Sequence, residues 1–167
     1  MGTAAVRVNA GVIGTPRADR PLRTGLVRYV LGGSAKTLLS TPLIYSLIIP
    51  LALLDTWVTL YQRICFAAWG MAHVRRGPFF VIDRHELSYL NVLEKLNCTF
   101  CSYANGVFAY AREVGARTEQ YWCPIKHARR PKGVHRRYER FSPFGDDGAY
   151  HTQLSRARKA LAPDPRE

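Results

Sequence analysis

Hydrophobic positions concentrate in one dominant block, Thr41 to Met71, with weaker periodic runs on either side. From Pro42 to Leu54 the run is almost purely aliphatic, with Ser46 the one clear polar interruption. A helix crossing hydrocarbon needs about 20 mainly apolar residues. The block reaches that length only by including Asp55, Thr56 and Thr59. Pro50 lies inside it and predicts a kink. A carboxylate such as Asp55 is costly in lipid and turns toward protein or water. Three readings follow: a tilted spanning helix, a re-entrant or interfacial helix, and a buried core helix. Tyr45, Trp57, Tyr61 and Trp69 suit an aromatic interface belt, or equally packing against protein.

Before this block, residues 1–22 read as a flexible arm punctuated by glycine and proline. Leu22, Leu26, Val27, Val30 and Leu31 then give a short amphipathic pattern, suited to a helix in a headgroup layer or to a small surface helix. Gly32-Gly33 breaks it, and no phosphate-loop pattern follows. After the block, Asp83 with Glu86 three residues on predicts a capped helix start, with Ile82 and Leu87 as a hydrophobic staple. Leu87, Leu90, Leu93 and Leu96 continue at helical spacing. Asn105-Gly106 predicts a turn. Val107, Tyr110, Ala111, Val114 and Thr118 mark a second helical face. Glu113 and Arg117 stand four apart in the favourable order, and Pro124 stops the helix. Leu154, Ala157, Arg158 and Leu161 suggest a short last helix over 151–161.

The expected fold is therefore all-α. A membrane-associated apolar or re-entrant helix precedes a small helical hairpin, 84–104 and 107–122, and a basic irregular C-terminal region. The expected organisation is an arm (1–22), a membrane-associated segment (23–76) and a basic hairpin domain with its tail (77–167).

Charge adds a second theme. The 24 Lys and Arg against 12 acidic residues give +12. Such a balance predicts attraction to anionic surfaces rather than a fold. Residues 124–140 hold seven cations, Lys126, Arg129, Arg130, Lys132, Arg136, Arg137 and Arg140, against Glu139 alone. Anionic lipid, an acidic face of another membrane subunit and nucleic acid are the partner classes. The apolar block fits nucleic-acid binding least.

Four cysteines in 167 residues make no disulfide scaffold. No secretory signal is visible in residues 1–25, so the thiols are expected reduced in the cytoplasm. Cys98, Cys101, Cys123 and His127 have the composition of a zinc site, with iron as a further possibility. Geometry opposes their convergence, because an unbroken helix over 107–122 carries Cys123 far from the Asn105-Gly106 turn. Ordinary buried thiols near that turn, a Cys98–Cys101 dithiol and a carboxylate site on Glu94 and Glu113 are the alternatives. A polar network of Glu94, Asn97, Asn105, Glu113 and Arg117 is a fifth. Cys65 sits in an apolar run and is expected buried. A set of Cys123, His127 and Glu119 has no spacing that forces contact.

The reading is a non-catalytic membrane-associated accessory subunit of a larger assembly. Asp55, Trp57, Lys126, Arg129, Arg130, Arg136 and Arg137 are its candidate lipid- or partner-binding residues. A zinc-stabilised nucleic-acid binder and a small metal- or thiol-dependent enzyme are the alternatives.

Overall fold

The computed structural model describes residues 35–163. The arm and the first amphipathic pattern, Leu22 to Leu31, lie outside the described residues. The described part is helical, with no strand beyond a single bridge between Ile125 and Ser142.

The apolar block forms one rod of several helical pieces. These are α1 (Ala35–Ser46), α2 (Ile48–Tyr61), a widened π turn (Gln62–Phe66) and α3 (Ala67–Trp69). The join between α1 and α2 falls at Leu47. Pro50 cannot donate to the Ser46 carbonyl and its ring crowds that carbonyl, so the break lies three residues before the proline. Gly70, at φ 64°, then ends the rod in the left-handed conformation that glycine adopts without strain. The stretch Leu39–Trp69 is long and apolar enough to cross a membrane.

Helix α4 (Val92–Trp122) runs unbroken for 31 residues. Two sequence expectations change here. Its start is capped by Asn91, which accepts from the Glu94 N–H at 2.9 Å, while the Glu94 carboxylate accepts from the Asn91 N–H at 2.8 Å. The same capping chemistry was expected at Asp83, but Asp83 makes no side-chain cap and heads only the short 3-10 turn Arg84–Glu86. Asn105-Gly106 is likewise no turn, and the hairpin is absent. Gly106 is buried mid-helix, where a Cβ would lie 2.8 Å from the Phe79 carbonyl oxygen. Glycine at this position serves close approach of the chain rather than reversal. Pro124 stops the helix as expected, with Cys123 as its C-cap.

The rod and α4 run parallel. Tyr45 packs on Phe100, Asp55 bonds Tyr103, Tyr61 meets Thr118 and Trp69 stacks on Tyr121. Numbers rise together on both helices, so residues 70–91 must return the full length between them. This strap is pinned near its start by Gln62. The Gln62 side chain donates to the Val74 carbonyl and the Tyr110 hydroxyl, and accepts from the Val74 N–H at 2.7 Å. All of its hydrogen-bonding groups are used, which is what makes burying an amide tolerable. Phe66, Met71, Val74, Tyr110, Val114 and Leu161 close the core around it.

Beyond α4, the chain forms a basic loop closed at its base. Lys126 N–H donates to Ser142 O and Ser142 N–H to Pro124 O, both at 2.8 Å. Arg112 donates to the carbonyls of Gly133 and Val134. A 3-10 turn (Arg136–Arg140) leads to buried Phe141. Helix α5 (Asp147–Lys159) starts earlier than expected, because Asp146 accepts from the Ala149 N–H at 2.8 Å. Leu161 then tucks under the strap, its carbonyl accepting from Ala72 N–H at 2.7 Å.

Candidate functional site

The rod has two unlike faces. Leu51, Asp55, Gln62 and Phe66 are buried. On the opposite side Leu39, Leu43, Leu53, Trp57, Leu60 and Ile64 recur at helical spacing and stand bare, with Leu39 84% and Trp57 69% exposed. From Leu39 to Ile64 this stripe is about 37 Å long at 1.5 Å per residue. Toward the N-terminal end Ile44, Leu47, Ile48 and Ile49 are also exposed, and the nearby chain adds Tyr89, Val92 and Leu96. A buried core helix is therefore not what this stretch forms.

Asp55 lies on the inward face at 6% exposure. Its Oδ2 accepts from Arg76 Nη2 at 2.5 Å and from the Tyr103 hydroxyl at 3.0 Å. Arg76 also lies over the Phe80 ring, 4.3 Å from its centroid. Burial, then the Asp55 hydrogen bond and charge, push the Tyr103 hydroxyl above its ordinary pKa, so it stays a neutral donor. The carboxylate is thus met within the chain, rather than by the second subunit that its place in an apolar run suggested. Asp55 Oδ1 and Thr59 Oγ1 remain without partners among the described residues. Asp55 and Thr59 line an open cleft of about 320 Å³ together with Arg63 and Arg76.

A second charged knot joins α4 to the basic loop. Glu113 Oε1 accepts from Arg117 Nε at 3.0 Å and from Arg137 Nη2 at 2.8 Å. Arg137 also donates to Gln120 Oε1 at 2.9 Å. Burial alone would raise the Glu113 pKa. The Arg137 and Arg117 hydrogen bonds and charges outweigh it, and the carboxyl sits below its usual value. The Glu113–Arg117 pair is the one the spacing predicted. Arg137 is consumed in this knot, whereas Arg129 and Arg136 lie exposed on the loop. Lys126 is half-buried, and Arg130 pairs with exposed Glu139 at 2.5 Å.

The cysteine set does not assemble. Cys98 and Cys101 lie one turn apart on α4, and Cys123 is its C-cap. The 22 residues separating Cys101 from Cys123 span about 33 Å of helix, so no single ion reaches both. Among the described residues no group of three or more Cys, His, Asp or Glu converges on a metal-sized site, and Glu94 and Glu113 lie on the same unbroken helix, about 28 Å apart. All four cysteines are free. Cys98 and Cys65 are half-buried and Cys101 is exposed, so none shows the full burial expected of Cys65 or of the pair. The putting together of Cys123, His127 and Glu119 fails too: Glu119 binds His135 at 2.8 Å, and His127 stacks on Tyr138. The expected internal network is instead several local contacts. Glu94 caps α4, the Tyr45 hydroxyl donates to Asn97, and Asn105 bonds the Cys101 carbonyl. Arg76 as the Asp55 partner was missed; the signal available was a basic turn following a rod with one acid.

No protein-family model, no curated protein and no solved structure matches this chain.

Proposed function

We propose that this chain is a non-catalytic, membrane-associated accessory subunit of a larger assembly. Its bare rod face rests on lipid and neighbouring subunits. Its basic loop, through Lys126, Arg129, Lys132 and Arg136, faces anionic headgroups or an acidic subunit surface on the cytoplasmic side. The observation that carries this reading is the continuous apolar stripe on the rod. An exposed apolar surface of that length marks an interaction or membrane face.

The position of Arg76 favours one geometry. Asp55 stands at the middle of Leu39–Trp69, and the Arg76 side chain paired to it is 46% exposed. A spanning rod would place that guanidinium at the bilayer centre, where a cation costs at least about 2.5–3.5 kcal/mol. A rod lying in the interface puts the stripe in lipid and Arg76, on the opposite flank, in water. The parallel α4, with its Arg112, Glu113 and Arg117, then stays on the aqueous side as well.

Spin labels at Leu43, Leu53 and Ile64 in reconstituted bilayers test this. We expect all three in lipid at one shallow depth. A deep Leu53 between two shallow ends would replace the interfacial geometry with a spanning one. Full water exposure at all three, with release of the native protein by high salt, would end the membrane reading. Recovery of the gently solubilised native protein only at its monomer mass would end the assembly reading.

A further inference from the structure

The last three elements enclose a cavity that the membrane reading does not use. It lies between the C-terminal end of α4, the 3-10 turn and α5, and measures about 280 Å³. Arg137, Arg140 and Arg156 reach its wall, with Gln120 and Gln153 beside them. Among the described residues no carboxylate lines it.

The three arginines are not equivalent. Arg137 is fixed by Glu113 and Gln120 and serves as a rigid part of the wall. Arg140 and Arg156 are exposed, and neither makes an ion pair with any described residue. The amides are also oriented by use. Gln120 Nε2 donates to the Ala157 carbonyl, and Gln153 Oε1 accepts from Ser142 Oγ at 3.3 Å. That leaves the Gln153 amide N–H groups as further donors. The remaining wall is apolar: Pro124, Phe141, Ala157 and Ala160.

We propose that this cavity binds a phosphate monoester, its phosphoryl group held by Arg140 and Arg156 and its organic part against Phe141 and Pro124. The charge decides between oxyanions. A single carboxylate neutralises one guanidinium and leaves the other unmatched. A phosphate monoester carries about −1.5 to −2 at neutral pH and three acceptor oxygens, which matches two forked donors and an amide. The volume suits a small organic group rather than a large ligand. The source is either a soluble phosphoester or a lipid headgroup of the same chemistry, and the site is defined without reference to how the rod meets the bilayer.

Two probes separate these sources. The first is phenyl phosphate, titrated calorimetrically into the full chain in neutral detergent. The second is phosphatidylcholine vesicles carrying phosphatidic acid, scored by co-flotation. Both substituted side chains are exposed, so Arg140→Gln and Arg156→Gln keep the fold, which circular dichroism verifies. We expect one binding site for the monoester and a weakening of about tenfold or more for each substitution. Arg84→Gln with Lys159→Gln makes the same charge change at exposed cations outside both the cavity and the basic loop, and is expected to have little effect. If phenyl phosphate binding depends on Arg140 and Arg156 but flotation does not, the ligand is a soluble ester. Flotation that depends on them without phenyl phosphate binding assigns the headgroup. Equal weakening by the cavity pair and the control pair, or binding of neither probe, overturns the proposal.

Discussion

Removing Arg76 is the sharpest test of how the rod tolerates a carboxylate. In Arg76→Met, Asp55 keeps its burial and loses its only cation among the described residues, which leaves the Tyr103 hydroxyl as its one donor there. Breaking a buried ion pair from one side costs about 3–5 kcal/mol. Arg76 is 46% exposed, so water reaches the vacated space, and we reduce the expected loss to about 1–3 kcal/mol. For a chain of 167 residues this corresponds to a melting point lower by about 4–8 °C at the middle of that range. The partner substitution makes the prediction specific. Asp55→Leu with Arg76→Met removes the charge and its need for a partner together. The remaining cost is the idle Tyr103 hydroxyl, about 1 kcal/mol. The double variant should therefore be more stable than Arg76→Met alone. Thermal unfolding of all four proteins in one detergent, followed by circular dichroism, gives the cycle. A double variant as unstable as the sum of the singles would show that Arg76 stabilises by packing on Phe80 and not by meeting Asp55.

Three further outcomes are expected. Gly106→Ala should lose stability in chemical denaturation, because overpacking against Phe79 O costs about 1–3 kcal/mol and outweighs a helix-propensity gain of about 1 kcal/mol. Gly115→Ala meets no atom within 4 Å and should gain up to that same amount; two substitutions of equal effect would contradict the packing described at Gly106. Asn91→Ala should cost about 1 kcal/mol by removing the α4 cap, while Asp83→Ala stays within about 0.5 kcal/mol, and the reverse order would restore the earlier helix start. The Glu113 carboxyl titrates lower folded than unfolded. Its contribution is complete above its ordinary value of 4.5 and is lost as pH falls through the folded value. An acid unfolding profile unchanged by Glu113→Gln would show that the knot contributes nothing.

The rod was legible because the aliphatic run from Pro42 to Leu54 and the mainly apolar residues after it leave few other structures available, and Pro124 and the Glu113–Arg117 pair act within one or two helical turns. The errors share a cause. Asp83 with Glu86 and Asn91 with Glu94 offer the same cap, and local sequence does not rank them. Tertiary packing does, through the strap that must reach Gly106 before α4 can begin. Asn105-Gly106 is a turn signal in isolation, but here Phe79 and Phe80 occupy the space that the glycine leaves open. The bare stripe was only half legible. Periodicity marks apolar positions along the rod without saying that one side receives α4 and the other receives nothing. The cavity escaped notice because Arg140 and Arg156 come from separate elements joined by the buried Phe141 and Ser142.

The parallel course of the two long helices has a consequence for how the chain is made. Tyr45 bonds a residue 52 positions later, and Asp55 and Gln62 each bond one 48 positions later. A helical hairpin zips from its turn, closing short loops first. Rod-to-strap contacts close short loops, Gln62 to Val74 over 12 residues and Asp55 to Arg76 over 21, but each rod-to-α4 bond closes one of about 50, so docking of α4 has no inexpensive first contact and is expected to be slow. At about 5–20 residues per second, translation leaves the rod about 3–10 s without the helix that covers its inner face. During that interval its outer apolar stripe is bare and its inner face has only the strap to meet it. On the proposed membrane reading, a nascent chain in that state meets chaperones or the bilayer before α4 has folded onto the rod.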